Sequence, residues 1–577
     1  MRKVLLYICS VFILGGMTSC EDFLDKREDV GLTEDDIFRD YYSLRGFLDQ
    51  SFNQLENVMV MDNWENGRAF VGLFADEMAT TDNSSAVFTL HSGNWLSNAK
   101  SNTTFEIGNG GSTAISRSYK ALRINNRIIN DIDKAPLTPE QKNEILGQAY
   151  FYRSWFYFQI IKRYGGMPII DKVFEGGDDD IPRVTYHESH DWMMEDIQKA
   201  IYMLPDSWDD PNYGRPTKIA AMALKEWTQL FDASPLMQNN LNSTENKGYD
   251  TERAKSAAKS AYEVIRYMDG SKSAPYPYGL ASKEEYTNVF YFKYPPVHQP
   301  EYIWVKRQFP NAANQNQKRT IRTFWQYEDL AFGSGPDGNS MCCPSLNIVN
   351  MFDKKGADGI YYPIDDPRSG YALDYAHKPF EDRDPRFYNN ILLPGTTWGH
   401  YADGRTYYIT TYKGGAAYQH MLTQKDCNKR MFTGFMCKKF MWPECNQYLE
   451  KNNPNCWWDY RFLTIYIRAS QIYLDYAEAL FEGCGSATAT IEGCPISAAE
   501  AINILRRRIG LTDLPSDIVA DPDKFRAAYR RERAVELMFE NHRWWDIRRW
   551  MILEETFKDT YPIKGALFTP RESNHGS

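Results

Sequence analysis

Apolar residues recur at helical spacing in two blocks, and a long stretch without that period separates them. In the first block Tyr119, Leu122, Ile129 and Ile132 share one face, predicting a helix over 119–132. Thr138-Pro139-Glu140-Gln141 places an N-cap threonine three residues before a glutamine, with proline at the first helical position. It opens a long helix whose face carries Ile145, Ala149, Arg153, Phe156 and Ile160 and which stops at Gly165-Gly166. Further helices are predicted at 187–204, 217–233 (Ile219, Ala223, Trp227, Leu230) and 252–267. The period returns at 470–482 through Tyr473, Tyr476, Ala477 and Leu480. Ser497-Ala-Ala-Glu500 reads as a second capping box opening 498–509, and one long helix is predicted over 523–550.

Between about 270 and 465 Pro, Gly, Asn and Tyr dominate and periodic runs are short. Paired helices of this length bury their apolar faces only by stacking on neighbours. The last block has too few helices for a core of its own. It is expected to pack back on the first block, with 270–465 as an excursion from one helical body. The competing arrangement is two independent domains joined by a linker, but so many aromatics do not suit a solvated linker.

The N-terminus follows different rules. Met1-Arg2-Lys3 is positive, and Val4 to Met17 is mostly apolar but shorter than the roughly 20 residues a membrane span needs. This is the layout of a secretory signal. Thr18-Ser19-Cys20 resembles a bacterial lipobox in which Cys20 becomes the lipidated first residue; the other reading is a plain secreted chain with an incidental cysteine. Residues 1–19 are thus the expected signal peptide, and 20–36 an acidic tether on a lipid anchor. Glu21 to Asp36 holds eight acids against Lys26 and Arg27 and is expected to stay extended. Several acyl chains would hold the protein firmly at a membrane face. Residues 37–577 form the folded domain, with helical blocks at about 37–267 and 467–550.

The 577 residues carry a formal charge of −10; Arg2 and Lys3 leave with the signal, which makes it −12. No sustained basic stripe is present, which argues against nucleic acid. Fifteen Trp, 38 Tyr and 31 Phe exceed ordinary core needs, and in an exported protein such rings often line binding surfaces. Once Cys9 and Cys20 are set aside, eight cysteines remain, with no CxxC pair and no zinc-like spacing. Cys484 and Cys494 flank a Gly/Ala/Thr-rich loop between two predicted antiparallel helices, which makes them a candidate disulfide.

Catalytic signals are weak. His187-Glu188-Ser189-His190 has its histidines at i, i+3, where a zinc protease helix needs i, i+4, so surface or capping roles fit better. Gly333-Ser-Gly335-Pro-Asp-Gly338 matches GxGxxG as text, but Pro336 blocks the required helix. Gly176-Gly177-Asp178-Asp179-Asp180 has carboxylates that could hold Ca²⁺, but it fits a solvated acidic loop better. Glu532, Glu536 and Glu540 lie at i, i+4, i+8. Two of them could serve glycoside hydrolysis; with Arg533, Arg543 and Arg549 nearby, a structural ion network that locks the C-terminal helix to the body fits better. No cofactor or resident metal is expected, and no enzymatic activity.

Five stretches together resemble the SusD/RagB family of outer-membrane nutrient-binding lipoproteins of Bacteroidetes. They are "CEDFLD" (20–25), "GQAYFYRSWFYFQIIKRYGGMPII" (147–170), "GRPTKIAAMALKEWTQLFDASP" (214–235), "RASQIYLDYAEAL" (468–480) and "RRERAVELMFENHRWWDIRRW" (530–550). The last is the most specific: Arg530, Arg531, Glu532, Arg533, Glu536, Leu537, Glu540, Arg543, Trp544, Asp546 and Arg549 all stand where the family pattern has them. The resemblance implies a mainly α fold of about eight tetratricopeptide-like helices with a large irregular insertion. It also implies a partner, a SusC-type TonB-dependent barrel over which the lipoprotein sits as a lid.

The function expected is capture of oligosaccharide or polysaccharide at the cell surface and its delivery to that barrel. A sugar site needs exposed aromatic platforms flanked by hydrogen-bonding side chains. Two stretches supply them: "HSGNWLSNAKSN" (91–102), with Trp95 and Asn98, and "KRTIRTFWQYED" (318–329), with Arg322, Trp325 and Tyr327. In the family the ligand site is built from these two regions, although each tryptophan could equally be core. Peptide capture for an importer is the first alternative, and a surface glycoside hydrolase the second.

Overall fold

The computed structural model describes residues 33–55, 71–79, 114–174, 180–273, 276–290, 298–307, 343–374, 378–400, 406–415, 433–440, 463–559 and 563–569. A short helix α1 (Glu34–Phe38) precedes α2 (Tyr41–Gln54). Then come α3 (Ala114–Asp131), α4 (Pro139–Tyr164), α5 (Tyr186–Met203), α6 (Lys218–Ala233) and α7 (Thr251–Gly270). After the excursion follow α8 (Ala469–Cys484), α9 (Ala498–Ile509), α10 (Pro522–Glu536) and α11 (Arg543–Arg549).

From α2 to α9 each helix packs on the next, and the series continues across the excursion because α7 lies against α8. The two blocks therefore share one apolar core. Thr138 and Thr185 each cap a helix reciprocally with Gln141 and Glu188. Ser497 makes only half of its predicted box: its hydroxyl accepts the Glu500 N–H, while the Glu500 carboxylate turns to Arg507. Arg153, on the inner face of α4, ties three helices together. It donates two hydrogen bonds to Asp196 of α5 (2.6 and 2.8 Å) and one to Asn126 of α3 (2.9 Å).

Two expectations need correction. Glu34 to Asp36, at the end of the acidic stretch, are helical rather than extended. Thr33 and Asp36 form a capping box, and Glu34 pairs with Arg127 and Lys134 of the helical body. The long helix over 523–550 is also two helices. It stops at Glu536 and restarts at Arg543, with Phe539 and Asn541 in left-handed conformation (φ 63° and 68°).

The excursion contains short antiparallel ladders. Its longest joins β2 (Tyr302–Arg307) to β4 (Leu463–Arg468) and lies over α6. Trp304 of β2 stacks on Tyr466 of β4 (centroids 4.5 Å) and meets Trp155 of α4 edge-on (4.7 Å). Trp227, Trp544, Trp545 and Trp550 are also buried. Much of the aromatic surplus thus fills core, a use the composition did not separate from binding. A second ladder pairs β1 (Met78–Ala79) with β3 (Cys343–Pro344).

Candidate functional site

The sequence-predicted ligand residues Trp95, Asn98, Arg322, Trp325 and Tyr327 lie outside the described residues, as do Cys20 and the stretches 175–179 and 333–338. The points where the segments carrying these candidate residues join the fold are described. In the β1–β3 ladder Met78 is opposite Pro344 and Ala79 opposite Cys343. Segment 80–113, with Trp95, follows Ala79 directly, and segment 308–342, with Trp325, ends directly before Cys343. In an antiparallel pair these two points are the same end of the ladder. Both segments therefore share one root.

Local chemistry fixes that root. The Ser345 N–H donates to the Glu77 carbonyl (3.1 Å), and its hydroxyl donates to the Asp76 carbonyl. The Ser345 oxygen also accepts the Ile348 N–H, capping the short helix Leu346–Met351. The C-terminal motif then grips both acids. Arg543 donates to the two carboxylate oxygens of Asp76 (2.7 and 2.9 Å), and Glu77 Oε2 accepts the Phe539 N–H (3.0 Å). Burial pushes the Glu77 carboxyl up to about 8, so it is mostly neutral at pH 7. The left-handed Phe539 is what points its N–H at Glu77, which gives the break in the helix a purpose. Trp544 packs on Phe74 just before the ladder (5.6 Å).

The candidate catalytic carboxylates form a buried ionic lattice. Arg386 bridges Glu532 and Glu536 (2.5 and 2.9 Å) and holds Asp384 as well. Arg468 bonds Glu540 through two nitrogens (2.7 and 2.8 Å), Glu301 (2.8 Å) and Glu536 (2.9 Å). Arg508 joins Glu301 to Glu536, Arg506 joins Asp353 to Glu532, and Lys439 reaches Glu540. Burial raises the Glu536 carboxyl, but Arg508, Arg468 and Arg386 together hold it well below the ordinary range. Glu540 is held low likewise by Arg468 and Lys439. A general acid needs the opposite, a raised pKa and access to substrate. The structural role expected for this motif is what its geometry provides.

The remaining motif arginines pair with other helices. Arg533 bridges Asp475 and Asp546, and Arg549 joins Glu478 to Asp546. The helix end is also occupied: the Glu536 carbonyl accepts from Arg468 Nη2 (2.7 Å) and Lys439 Nζ (3.2 Å), which satisfies a terminal acceptor where α10 stops.

His190, unlike the partly exposed His187, is not a surface group. His190 is 3% exposed, and both imidazoles face Asp232, with His187 Nδ1 2.7 Å from its Oδ1. His190, Asp191 and Asp232 come close enough to share a cation, but the Arg253 guanidinium already lies on Asp232 and 3.5 Å from Asp191. The cluster is charge-compensated. Cys484 and Cys494 are both free thiols, so the candidate disulfide is not formed. Cys494 is buried in the tight Ile491–Cys494 turn and turned toward Tyr476, whose hydroxyl donates to the Ile496 carbonyl.

Comparison with known proteins now bears on this geometry. The SusD family model matches residues 300–567, and a second, described as "Starch-binding associating with outer membrane", matches 22–226. The chain belongs to the SusD family. Solved structures agree on the fold. A SusD-like protein from Bacteroides fragilis is 23% identical, with TM-score 0.67 over 93% of this chain and 94% of the other. A SusD-like carbohydrate-binding protein from the same species is 20% identical, with TM-score 0.63 over 90% and 88%. A laminarin-binding SusD-like protein is 18% identical, with TM-score 0.55 over 91% and 96%. No curated protein matches the chain. The SusD-like fold is one of tetratricopeptide-like helical repeats, and α2 to α9 supply them here.

Sequence reasoning missed Asp76 and Glu77. Two adjacent acids in "GLFADEMAT" carry no local signal; only their partners 462 and more residues away explain them. It also missed β2 and β4. Both "YIWVKR" and "LTIYIR" are rich in β-branched and aromatic residues, which is a legible strand signal.

Proposed function

We propose that this SusD-family protein binds oligosaccharide at the outer surface of the outer membrane and delivers it to a SusC-type TonB-dependent barrel. Cys20 carries the lipid, and the acidic residues after it form the tether that leads into α1 at Glu34. Among the described residues no helix is long and apolar enough to cross a membrane. The ligand is held between Trp95 and Trp325, with Asn98, Arg322 and Tyr327 supplying hydrogen bonds.

The observation that carries this proposal is the shared root on the β1–β3 ladder. Two aromatic-bearing segments that leave a rigid core at one point are well placed to enclose one ligand. Glycan as cargo is supported by the starch-binding description of the matching family model and by the laminarin-binding neighbour.

Calorimetric titration of the Cys20→Ala protein against soluble β-glucan, α-glucan and xylan oligosaccharides tests it. At least one glycan should bind. Trp95→Ala and Trp325→Ala should each weaken binding by about 1 kcal/mol or more and leave the melting temperature nearly unchanged. No binding by the wild type to any glycan, or binding of peptides instead, overturns the proposal. A large loss of stability, about 3–5 kcal/mol, would place those tryptophans in the core.

A further inference from the structure

A cleft lies among the helices. The loop between α5 and α6, the C-terminal end of α7 and the start of β2 enclose it. Two depressions of about 400 and 490 Å³ meet at Ser207, the first bordered by Tyr267, Tyr276 and Tyr278 and the second by Trp208, Glu144 and Asn212. Tyr278 and Trp208 also line the narrower space between them, with Tyr213 and Trp304. The most exposed ring is Tyr276, at 40%. It stacks on His298 (centroids 3.7 Å, 20° between planes), and Tyr213 meets His298 edge-on (4.4 Å). Backing by two further rings holds this exposed platform in place.

The polar groups around it are mostly acidic. Asp206 accepts from the Tyr267 hydroxyl (2.6 Å), Asp210 lies 3.3 Å from His298 Nε2, and both carboxylates are more than 70% exposed. The arginines of the cleft are turned to other work: Arg215 binds Asp49 and Gln148, and Arg45 binds Asn212. Lys218 lies 3.7 Å from Asp206. The rim therefore presents mostly carboxylate acceptors, beside a flat ring. A pyranose has an apolar C–H face for the ring and hydroxyl donors for the carboxylates. An anionic sugar would be repelled.

We infer that this cleft is a second binding subsite, for neutral oligosaccharide, centred on Tyr276; the inference rests on the glycan-binding function proposed above. Its place suits an extended ligand. Tyr302, at one end of β2, borders the cleft, and Arg307, at the other end roughly 17 Å away, opens the segment that carries Trp325.

The test uses the Cys20→Ala protein and its Trp95→Ala/Trp325→Ala variant, each with and without Tyr276→Ala. The probes are neutral gluco-oligosaccharides of two and six residues, a hexameric oligogalacturonate and a lysine-rich peptide. The double-tryptophan variant should retain weak binding of the neutral hexamer but not of the galacturonate. Tyr276→Ala should remove that residual binding, and in the otherwise wild-type protein it should weaken the hexamer several-fold while leaving the disaccharide unchanged. His298→Ala, which removes the backing ring, should act in the same direction. If the wild type binds the hexamer and Tyr276→Ala and His298→Ala change nothing, the subsite is wrong and the main proposal stands. If the lysine-rich peptide is what the double-tryptophan variant retains, the cleft is a peptide site. If the wild type binds no glycan at all, the underlying function has failed rather than the placement of the subsite.

Discussion

Arg468→Met removes the guanidinium at the centre of the ionic lattice and keeps an unbranched chain of similar volume. The wild-type group makes five hydrogen bonds of 2.7–2.9 Å: to Glu301, to both oxygens of Glu540, to the Glu536 carboxylate and to the Glu536 carbonyl. Its side chain is 2% exposed, so water cannot replace it. Each carboxylate keeps at least one other cation, since Arg508 serves Glu301 and Glu536, Arg386 serves Glu536, and Lys439 serves Glu540. One buried negative charge is left uncompensated, and removing one partner of a buried pair costs about 3–5 kcal/mol. A folded body of roughly 540 residues has an unfolding entropy of about 1.1 kcal/mol per kelvin. The melting temperature should therefore fall by about 3–4 °C in differential scanning calorimetry. Removing the acid as well, in Arg468→Met/Glu540→Gln, should recover part of that loss, because the two side chains share one interaction. An unchanged melting temperature in the single variant, or fully additive losses in the double, would refute the claim that this lattice clamps β4 to the break between α10 and α11.

Three further outcomes follow from the same geometry. Glu77 binds its proton more tightly folded (about 8) than unfolded (about 4.5), so its contribution favours the fold below pH 4.5 and is lost as pH rises through 8; the melting-temperature advantage of Glu77→Gln over wild type should grow between pH 5 and pH 9, and a constant difference would contradict the buried neutral carboxyl. Arg543→Leu strips Asp76 of its bidentate partner, so amide exchange at Ala79 and Cys343 should accelerate and glycan affinity should fall with it; exchange at wild-type rates would detach the ladder from the C-terminal motif. Cys20→Ala should move the protein from the outer-membrane pellet to the soluble fraction, and continued pelleting with no acyl mass on the wild-type chain would remove the lipid anchor.

The helices were legible because a surface helix must repeat its apolar positions every three or four residues, and the cap at Thr138 marks a start in plain sequence. The return of α8 onto α7 was legible from the shortage of core in the last block. The break after Glu536 was not. "ELMFENH" has no glycine or proline; its left-handed Phe539 is held by Glu77, and the Glu536 carbonyl before it by Lys439 and Arg468, all distant in the chain. The cleft was hidden for the same reason: Trp208, Tyr276 and His298 belong to no motif and meet only after folding. The candidate ligand residues came from family resemblance and composition; what the fold adds is the common root of the segments that carry them.

The central claim, one glycan site shared by two segments with a common root, is tested most directly by titrating one bound oligosaccharide into the wild type, Trp95→Ala, Trp325→Ala and the double variant. The account predicts that each single variant weakens the same tightest site, by about tenfold per 1.4 kcal/mol lost, without changing its stoichiometry, and that the double variant abolishes it. If either single variant deletes one site and leaves another at wild-type affinity, the two segments do not build one site and the account is contradicted.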